Sequence, residues 1–169
     1  MSVKVLVTGA SGQLGKTIQD LFAINTSDIE FNFFSKNQLD ISDTKELKSI
    51  FNSEQFDYCI NCAAFTNVEQ SEKAPEIAYK INAEAVKNLA LRCKENGVTL
   101  IHISTDYVFD GEKNAPYLVN DTPNPINEYG RSKLLGENFI RSILEDYYIV
   151  RTSWLYSKKF GNNFYRSIL

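Results

Sequence analysis

Apolar residues follow two alternating patterns along this chain. Short β-branched or aromatic runs, such as 3–7, 29–34 and 98–103, are typical of strands that are covered on both faces. Between these runs the apolar positions recur every three or four residues, most clearly over 77–93, which is the spacing of one helical face. Strands that alternate with helices predict an α/β fold with a parallel, doubly wound sheet.

Polar and special residues mark where these elements begin and end. Asp43, with a glutamate three positions later, resembles a capping box. Pro75 is placed to open a long helix that Gly97 ends, and Pro125 to open another that continues to about Glu145. The predicted strands are 3–8, 29–34, 56–64, 98–105 and 147–152, and the predicted helices begin near residues 16, 43, 75, 125 and 161.

Three glycines follow the first strand directly. Gly9, Gly12 and Gly15 have the spacing G-x-x-G-x-x-G, which lets a backbone bend sharply and approach a pyrophosphate at the start of a helix. The spacing alone is weak, and the position between strand and helix gives the prediction its weight. A P-loop is excluded because Ala10 stands where that motif requires glycine.

The carboxyl ends of the predicted strands carry the other candidate residues. In open parallel sheets ligands bind beyond these ends. Segments 9–15, 61–66, 104–107 and 151–154 all fall there. We therefore expect the functional site at this single edge of the sheet.

Tyr129 and Lys133 are four positions apart and lie on one face of a predicted helix. A nearby ammonium favours the ionised phenol and lowers its pKa, so that tyrosine can give a proton to a carbonyl oxygen as hydride reaches the carbon. Thr105, at the end of a strand, can hydrogen-bond the same oxygen. The spacing also fits a surface helix with a stacked tyrosine and lysine.

Composition excludes several classes of protein. The 169 residues fit one compact domain with an ordinary share of hydrophobic (43%) and charged (23%) residues. A net charge of -3 without a dense basic block argues against nucleic-acid binding. No apolar stretch approaches the ~20 residues of a membrane span. We expect a cytoplasmic protein without nucleic-acid or membrane partners.

The cysteines and the single histidine give no metal site. Three cysteines without a secretion signal suggest free thiols. Cys59 and Cys62 are three apart on a predicted strand and so point to opposite faces, which argues against a shared metal or a disulfide. His102, inside an apolar run, is interpreted as a core histidine.

Taken together, several motifs resemble the extended short-chain dehydrogenase/reductases, which have a Rossmann fold. The blocks that carry the resemblance are Gly9-x-x-Gly12-x-x-Gly15, Asn61-Cys62-Ala63-Ala64, Ser104-Thr105-Asp106-Tyr107-Val108-Phe109-Asp110-Gly111, Tyr129-Gly130-x-x-Lys133 and Arg151-Thr152-Ser153-Trp154.

The resemblance implies a function and a set of site residues. It implies NAD(P)H-dependent reduction of the 4-keto group of dTDP-4-dehydro-L-rhamnose to dTDP-L-rhamnose, for surface polysaccharide. The implied catalytic residues are Thr105, Tyr129 and Lys133. The implied cofactor contacts are Tyr129, Lys133, Gly9, Gly12, Gln13, Leu14, Gly15, Asp40, Ile41, Ala63, Ala64 and Thr66, and the implied substrate contacts are Asp106, Tyr107, Trp154, Asn163 and Phe164.

Details at two positions bear on the cofactor and the assembly. Lys36 stands where this kind of domain often has an acid for the ribose 2′-hydroxyl, which favours NADPH over NADH, although a solvated loop lysine fits this position nearly as well. Some family members use an acidic residue early in the first helix for a magnesium-dependent dimer, and Thr17 stands at the comparable place. Mg²⁺ is therefore not supported, and a homodimer stays open.

The resemblance also predicts the domain organisation and leaves alternatives. Residues 1–169 are expected to form the nucleotide-binding domain that carries the catalytic residues, truncated before the C-terminal part that completes the substrate site. Sugar-nucleotide dehydratases and epimerases share the fold, but dehydratases have glutamate where Tyr107 stands. The regulatory subunit of methionine adenosyltransferase is a non-catalytic relative that remains an alternative.

Overall fold

A computed structural model describes residues 2–22 and 28–168 of the chain. Five strands and seven α-helices alternate along these residues. The strands are β1 (Val3–Thr8), β2 (Ile29–Phe34), β3 (Tyr58–Asn61), β4 (Thr99–Thr105) and β5 (Tyr147–Thr152). The helices are α1 (Gln13–Phe22), α2 (Thr44–Ser53), α3 (Val68–Lys73), α4 (Pro75–Tyr79), α5 (Ala85–Asn96), α6 (Glu128–Ile143) and α7 (Phe164–Ser167).

The five strands form one parallel sheet in the order β2-β1-β3-β4-β5. The chain moves outward from β1 to β2, crosses back over β1 to β3, and then continues in the opposite direction. The strand order therefore reverses between β1 and β3. In doubly wound sheets this reversal opens a crevice at the carboxyl ends of the two strands, because the flanking loops leave in opposite directions.

The core lies between one face of the sheet and the helices that cover it. Leu6, Cys59 and Leu100 are neighbours in strand register and are fully buried. They belong to one apolar cluster with residues of α2, α5 and α6, including Leu89 and Ile140. Burial of large aliphatic side chains stabilises such a core by about 1.5–3 kcal/mol each.

All five predicted strands are present. The helices predicted to begin near residues 16, 125 and 161 each begin three residues away, at Gln13, Glu128 and Phe164, and one helix was not predicted. The helix predicted to begin at Pro125 begins at Glu128, because the Asn127 side chain caps it by accepting a hydrogen bond from Gly130 N at 2.7 Å. Helix α3 was not predicted, since its sequence, Val68–Lys73, is almost entirely polar and has no apolar period. The predicted strand over 56–64 is shorter than expected and ends at Asn61.

The long helix predicted from Pro75 to Gly97 contains a π-helical segment, Lys80–Glu84, between α4 and α5. This segment turns Asn82 into the protein, where its amide nitrogen donates to Phe65 O at 2.9 Å and to Ser132 Oγ at 3.0 Å. Its amide oxygen accepts from Phe65 N at 2.9 Å. The π-helical segment thereby fixes the loop that follows β3. Such interruptions of α-helices are frequent at functional sites.

The helices of the described residues are short or polar. Over residues 2–22 and 28–168, none combines the length and the apolar character that crossing a bilayer demands.

Candidate active site

A cleft of about 540 Å³ opens at the carboxyl ends of the strands. It occupies the sheet edge at which the sequence places the candidate residues. Twelve of the predicted site residues line it: Gly12, Gln13, Leu14, Gly15, Ala64, Thr66, Thr105, Asp106, Tyr107, Tyr129, Lys133 and Trp154. Residues that sequence reasoning did not assign also line it, among them Cys62, Val68, Ile103, Ser104, Thr152, Ser153, Leu155, Gly161 and Asn162.

The three glycines of the first turn have different structural tasks. Gly9 has φ +66°, and a Cβ added there would lie 2.6 Å from Ala63 N, so this glycine allows β1 and the loop after β3 to approach each other. A Cβ at Gly15 would lie 2.6 Å from Ala10 Cα, so this glycine allows α1 to pack on the turn. At Gly12 the nearest atom would be Gly9 O at 3.2 Å. Gly12 and Gly15 border the cleft, whereas Gly9 does not line it and packs against the backbone of Ala63.

Tyr129 enters the cleft from the first turn of α6, next to Thr105 at the end of β4. Burial raises the pKa of Tyr129, and a hydrogen bond with Thr105 lowers it by less. The ring of Tyr107 packs edge-on against Tyr129, with centroids 5.6 Å apart. The phenol therefore keeps its proton at neutral pH, in the form that can donate to a substrate oxygen.

Lys133 lies one turn further along α6 and is 1% exposed. Its Nζ donates to Ile103 O at 2.7 Å and lies 3.2 Å from His102 Nε2. Burial lowers the pKa of Lys133 to about 8, although the charge of Glu137 acts in the opposite direction. The expectation that this ammonium lowers the pKa of Tyr129 needs correction. In this structure burial of the phenol dominates, and the pKa lies above its ordinary value.

Glu137 follows Lys133 by one further turn and is completely buried. Arg151 forms two hydrogen bonds with its carboxylate, at 2.9 and 2.6 Å, and Ser104 Oγ donates at 2.6 Å. Burial raises the pKa of Glu137, but these hydrogen bonds and the charges of Arg151 and Arg141 outweigh it, so the pKa is lowered. This ion pair joins α6 to β5 beside the cleft.

The cysteines remain free thiols in this structure. Cys62 borders the cleft, and burial raises its pKa to about 12. Cys59 is buried, and its pKa is raised by a hydrogen bond with Cys93 and by burial. Across the described residues, no group of three or more histidine, cysteine, aspartate or glutamate side chains is arranged to hold a metal ion.

The rim of the cleft carries the aromatic residues predicted to face a substrate. Trp154 is 69% exposed, and its ring lies 6.1 Å from that of Phe164 and 6.3 Å from that of Tyr156. Asn163 is not among the lining residues, because its side chain is used within the protein: Nδ2 donates to Gln13 Oε1 and to two backbone carbonyls. Phe164 is exposed and lies outside the cleft lining as well.

Gln13 connects the glycine turn to the segment after β5. Its Nε2 donates to Leu155 O at 2.8 Å, and a Cβ at Gly161 would lie 2.3 Å from its Oε1. The segment therefore closes one side of the cleft through contacts with Gln13. Sequence periodicity gives no signal for Leu155 or Gly161, since they lie in irregular structure and meet Gln13 only in the folded chain.

The remaining predicted cofactor residues do not line the cleft. A second cavity of about 350 Å³ is lined by Lys36, Asp40 and Lys80, among others, and Lys36 Nζ lies 3.7 Å from Asp40 Oδ2. Ile41 is 3% exposed and belongs to the core, so its side chain offers almost no surface to a ligand. Ala63 lies behind the glycine turn, against Gly9.

The fold and the site define a class of protein. In this chain the glycine turn lies where the strand order of the parallel sheet reverses. The cleft that the turn borders is also lined by Thr105, Tyr129 and Lys133. This is the arrangement of a nucleotide-binding α/β domain. The chain belongs to the RmlD substrate binding domain family, whose model matches residues 3–169.

Individual relatives agree with this family. The chain is 40% identical to the spore coat polysaccharide biosynthesis protein SpsK of Bacillus subtilis, over 98% of this chain and 58% of that protein. It is 38% identical to dTDP-4-dehydrorhamnose reductase of Mycolicibacterium smegmatis, over 97% of this chain and 49% of that protein. The chain thus spans about half the length of the curated relatives it matches.

A solved structure has the same fold. The crystal structure of dTDP-4-dehydrorhamnose reductase from Bacillus anthracis in complex with NADP superposes with a TM-score of 0.94 at 41% identity. The match covers 99% of this chain and 59% of that chain. The doubly wound architecture expected from the sequence is therefore confirmed.

Proposed function

We propose that the protein carrying this chain reduces the 4-keto group of a dTDP-4-dehydro-6-deoxy sugar, dTDP-4-dehydro-L-rhamnose in particular, with NADPH. The observation that carries the proposal is the convergence of Thr105, Tyr129 and Lys133 with the glycine turn in one cleft. The names of the relatives support the substrate class, and the NADP in one of their structures supports the cofactor.

The residues present fit a dinucleotide. Gly12 leaves the turn open toward the cleft, and the N-terminus of the ten-residue helix α1 follows it directly, as a pyrophosphate requires. Tyr129 and Lys133 line the same cleft, and we propose that the nicotinamide ribose binds beside them. Lys36 and Lys80 line a second cavity together with Asp40 and Glu76, and we propose that the two ammonium groups there bind the additional 2′-phosphate of NADPH.

The side chains then have distinct tasks. NADPH supplies the hydride to the keto carbon when it is bound. Tyr129, protonated at neutral pH, donates its proton to the keto oxygen. Thr105, which is buried to 5% exposure at the end of β4, hydrogen-bonds the same oxygen while its negative charge develops. Tyr107 and Trp154 offer aromatic surface to the sugar at the rim of the cleft.

We further propose that residues 1–169 form the nucleotide-binding domain with the catalytic side chains. Additional sequence in the whole protein would then complete the pocket for the sugar nucleotide. We also propose that the protein acts in the cytoplasm, where a sugar nucleotide and NADPH are both available.

The decisive experiment is an NADPH oxidation assay on the whole protein with a panel of 4-keto sugar nucleotides. We expect turnover with dTDP-4-dehydro-L-rhamnose and slower turnover when the nucleotide base or the sugar is changed. NADPH binding without turnover of any keto sugar would overturn the reductase proposal and favour a non-catalytic relative. Water elimination from a dTDP-hexose would favour a dehydratase instead.

A further inference from the structure

One carboxylate closes the long connection between β4 and α6, residues 106–127. Oδ1 of Asp110 accepts hydrogen bonds from the Tyr117 hydroxyl at 2.7 Å and from Glu112 N at 3.1 Å. Its Oδ2 accepts from Asn124 Nδ2 at 3.0 Å. The first and the last part of the connection are therefore joined at Asp110, which itself does not line the cleft.

Asp110 is a carboxylate at neutral pH, and its partners match that state. Hydrogen bonds from Tyr117 and Asn124 lower its pKa to about 2. An ionised carboxylate only accepts hydrogen bonds, and a tyrosine hydroxyl has a single proton to donate. Because the Tyr117 hydroxyl accepts from Gly111 N at 2.9 Å, its proton is free for Asp110. Donors and acceptors in this cluster are thus consistently paired.

Two further contacts connect this part of the loop to the sheet. The ring of Tyr117 is stacked on that of Phe109, with centroids 4.1 Å apart and 11° between the ring planes. The Arg151 guanidinium lies over the Phe109 ring, 4.9 Å from its centroid. Arg151 is in turn hydrogen-bonded to the buried Glu137 of α6. The segment that carries Asp110 is therefore attached to β5 and, through β5, to α6.

Asn124 brings the end of the connection back to its beginning. Its backbone N donates to Val108 O at 2.9 Å, and its side chain donates to Asp110. The first turn of α6, which follows, lies directly against the backbone of Tyr107: a Cβ added at Gly130 would be 2.1 Å from Tyr107 O. The placement of Tyr107 and the placement of this turn therefore depend on each other.

Thr105 lies just before this connection and Tyr129 just after it, and the proposed reaction requires both at one keto oxygen. We propose that Asp110 is a positioning residue: by joining the two ends of the connection, it holds Thr105 and Tyr107 in their places relative to Tyr129. This deepens the proposed reductase function and rests on it for its catalytic meaning. A displacement of about 1 Å is enough to cost roughly a hundredfold in rate.

Two substitutions at Asp110 separate the geometry of the cluster from its charge. Asp110→Ala removes all three hydrogen bonds. In Asp110→Asn the amide oxygen keeps the two donors of Oδ1, and the new NH₂ group donates to Asn124 once the Asn124 amide rotates by half a turn. That rotation breaks nothing, because the Asn124 side chain has no other hydrogen bond among the described residues. The matched control is Asp57→Ala, which removes an exposed carboxylate that accepts from Lys4 N at 2.8 Å, at the amino ends of β1 and β3.

The first test needs no turnover. Amide hydrogen exchange in the whole protein, measured by mass spectrometry on peptides that cover 105–112, reports how firmly this segment is held. We expect exchange about tenfold faster or more in Asp110→Ala, and within about threefold of wild type in Asp110→Asn and Asp57→Ala. Unchanged exchange in Asp110→Ala would overturn the proposal, because the two ends of the connection would then be held without the carboxylate.

The second test measures NADPH oxidation with the keto sugar. We expect kcat of Asp110→Ala to fall about ten- to hundredfold while the Kd of NADPH stays within about threefold of wild type, since none of the proposed cofactor contacts lies in 106–127. Asp110→Asn should restore kcat. Tyr117→Phe, which removes one donor and keeps the ring stack, should lower kcat by about two- to tenfold, with Tyr148→Phe as its control. This variant provides the answer if Asp110→Ala does not fold.

The outcomes separate positioning from a general loss of structure. An unchanged kcat in Asp110→Ala, an equal loss of kcat and NADPH affinity, or a low kcat that Asp110→Asn does not restore would each contradict the role of Asp110. If the wild type reduces no keto sugar, the proposed function fails, and the exchange rates alone then decide whether Asp110 holds the segment.

Discussion

The side-chain amides of Gln13 and Asn163 are hydrogen-bonded to each other at 2.8 Å, although 150 positions separate them in the sequence. Gln13 belongs to the glycine turn, and Asn163 caps α7. The same glutamine also donates to Leu155 O. One side chain therefore attaches the segment after β5 to the turn that is proposed to bind the cofactor pyrophosphate.

Gln13→Ala should loosen this attachment. Two hydrogen bonds of about 0.5–1.5 kcal/mol each are lost, so we expect NADPH affinity to fall by roughly five- to 150-fold at most and the segment 153–163 to be cleaved faster by proteases. Isothermal titration and limited proteolysis measure the two effects. Gln55→Ala, at an exposed glutamine outside the cleft, is the control, and equal behaviour of both variants would show that Gln13 attaches nothing.

Tyr129→Phe should remove the proton donor and leave the packing intact. We expect kcat to fall by about 10²–10⁴-fold, while NADPH binding stays within about threefold of wild type. Steady-state kinetics and fluorescence titration provide both numbers. Tyr148→Phe, at a tyrosine that is 62% exposed on β5, should change neither, and undiminished turnover in Tyr129→Phe would exclude this phenol as the acid.

Glu137→Ala should destabilise the domain strongly. Removing one partner of a buried ion pair leaves Arg151 uncompensated and typically costs about 3–5 kcal/mol, whereas Glu69→Ala at an exposed pair should cost at most about 1 kcal/mol. Urea unfolding measures both. A loss below about 1 kcal/mol for Glu137→Ala would mean that the pair contributes little.

The same carboxylate predicts the pH dependence of stability. The pKa of Glu137 is lower in the folded protein than in the unfolded chain, so the unfolded chain binds the extra proton first as the pH falls. The Glu137 carboxylate contributes fully to the free energy of unfolding above about pH 4.3. This contribution is lost as the pH falls through the pKa of Glu137 in the folded protein. The stability difference between wild type and Glu137→Gln should therefore shrink in acid. If the stability difference between wild type and Glu137→Gln grows below about pH 4, the lowered pKa of Glu137 is contradicted.

Cys62 should react slowly although it borders the cleft. With a pKa of about 12, its thiolate fraction at neutral pH is roughly three-thousandfold below that of a free cysteine with a pKa near 8.5. Peptide mass spectrometry after iodoacetamide treatment, with the urea-unfolded protein as reference, measures the rate. Labelling of Cys62 as fast as in the unfolded chain would contradict the raised pKa.

The sequence alone was sufficient wherever a property depends on neighbours along the chain. Alternating apolar periods predict the strands and most helices, and the glycine spacing predicts the turn after β1. The four-residue separation of Tyr129 and Lys133 predicts a shared helix face. Helix α3 is not predicted, because a polar sequence without an apolar period has no such local signal. The start of α6 differs from the predicted one because Asn127, and not Pro125, determines where the helix begins.

Only the tertiary structure decided what surrounds the site residues. Lys133 meets His102 and Ile103 because α6 packs across β4, and Asn61 meets His102 because β3 and β4 are paired in one particular register. A shift of one residue would turn each strand side chain to the other face. Burial then sets the direction of the pKa shifts of Tyr129, Lys133 and His102, and burial is a property of the packed sheet and helices, which no local sequence pattern specifies.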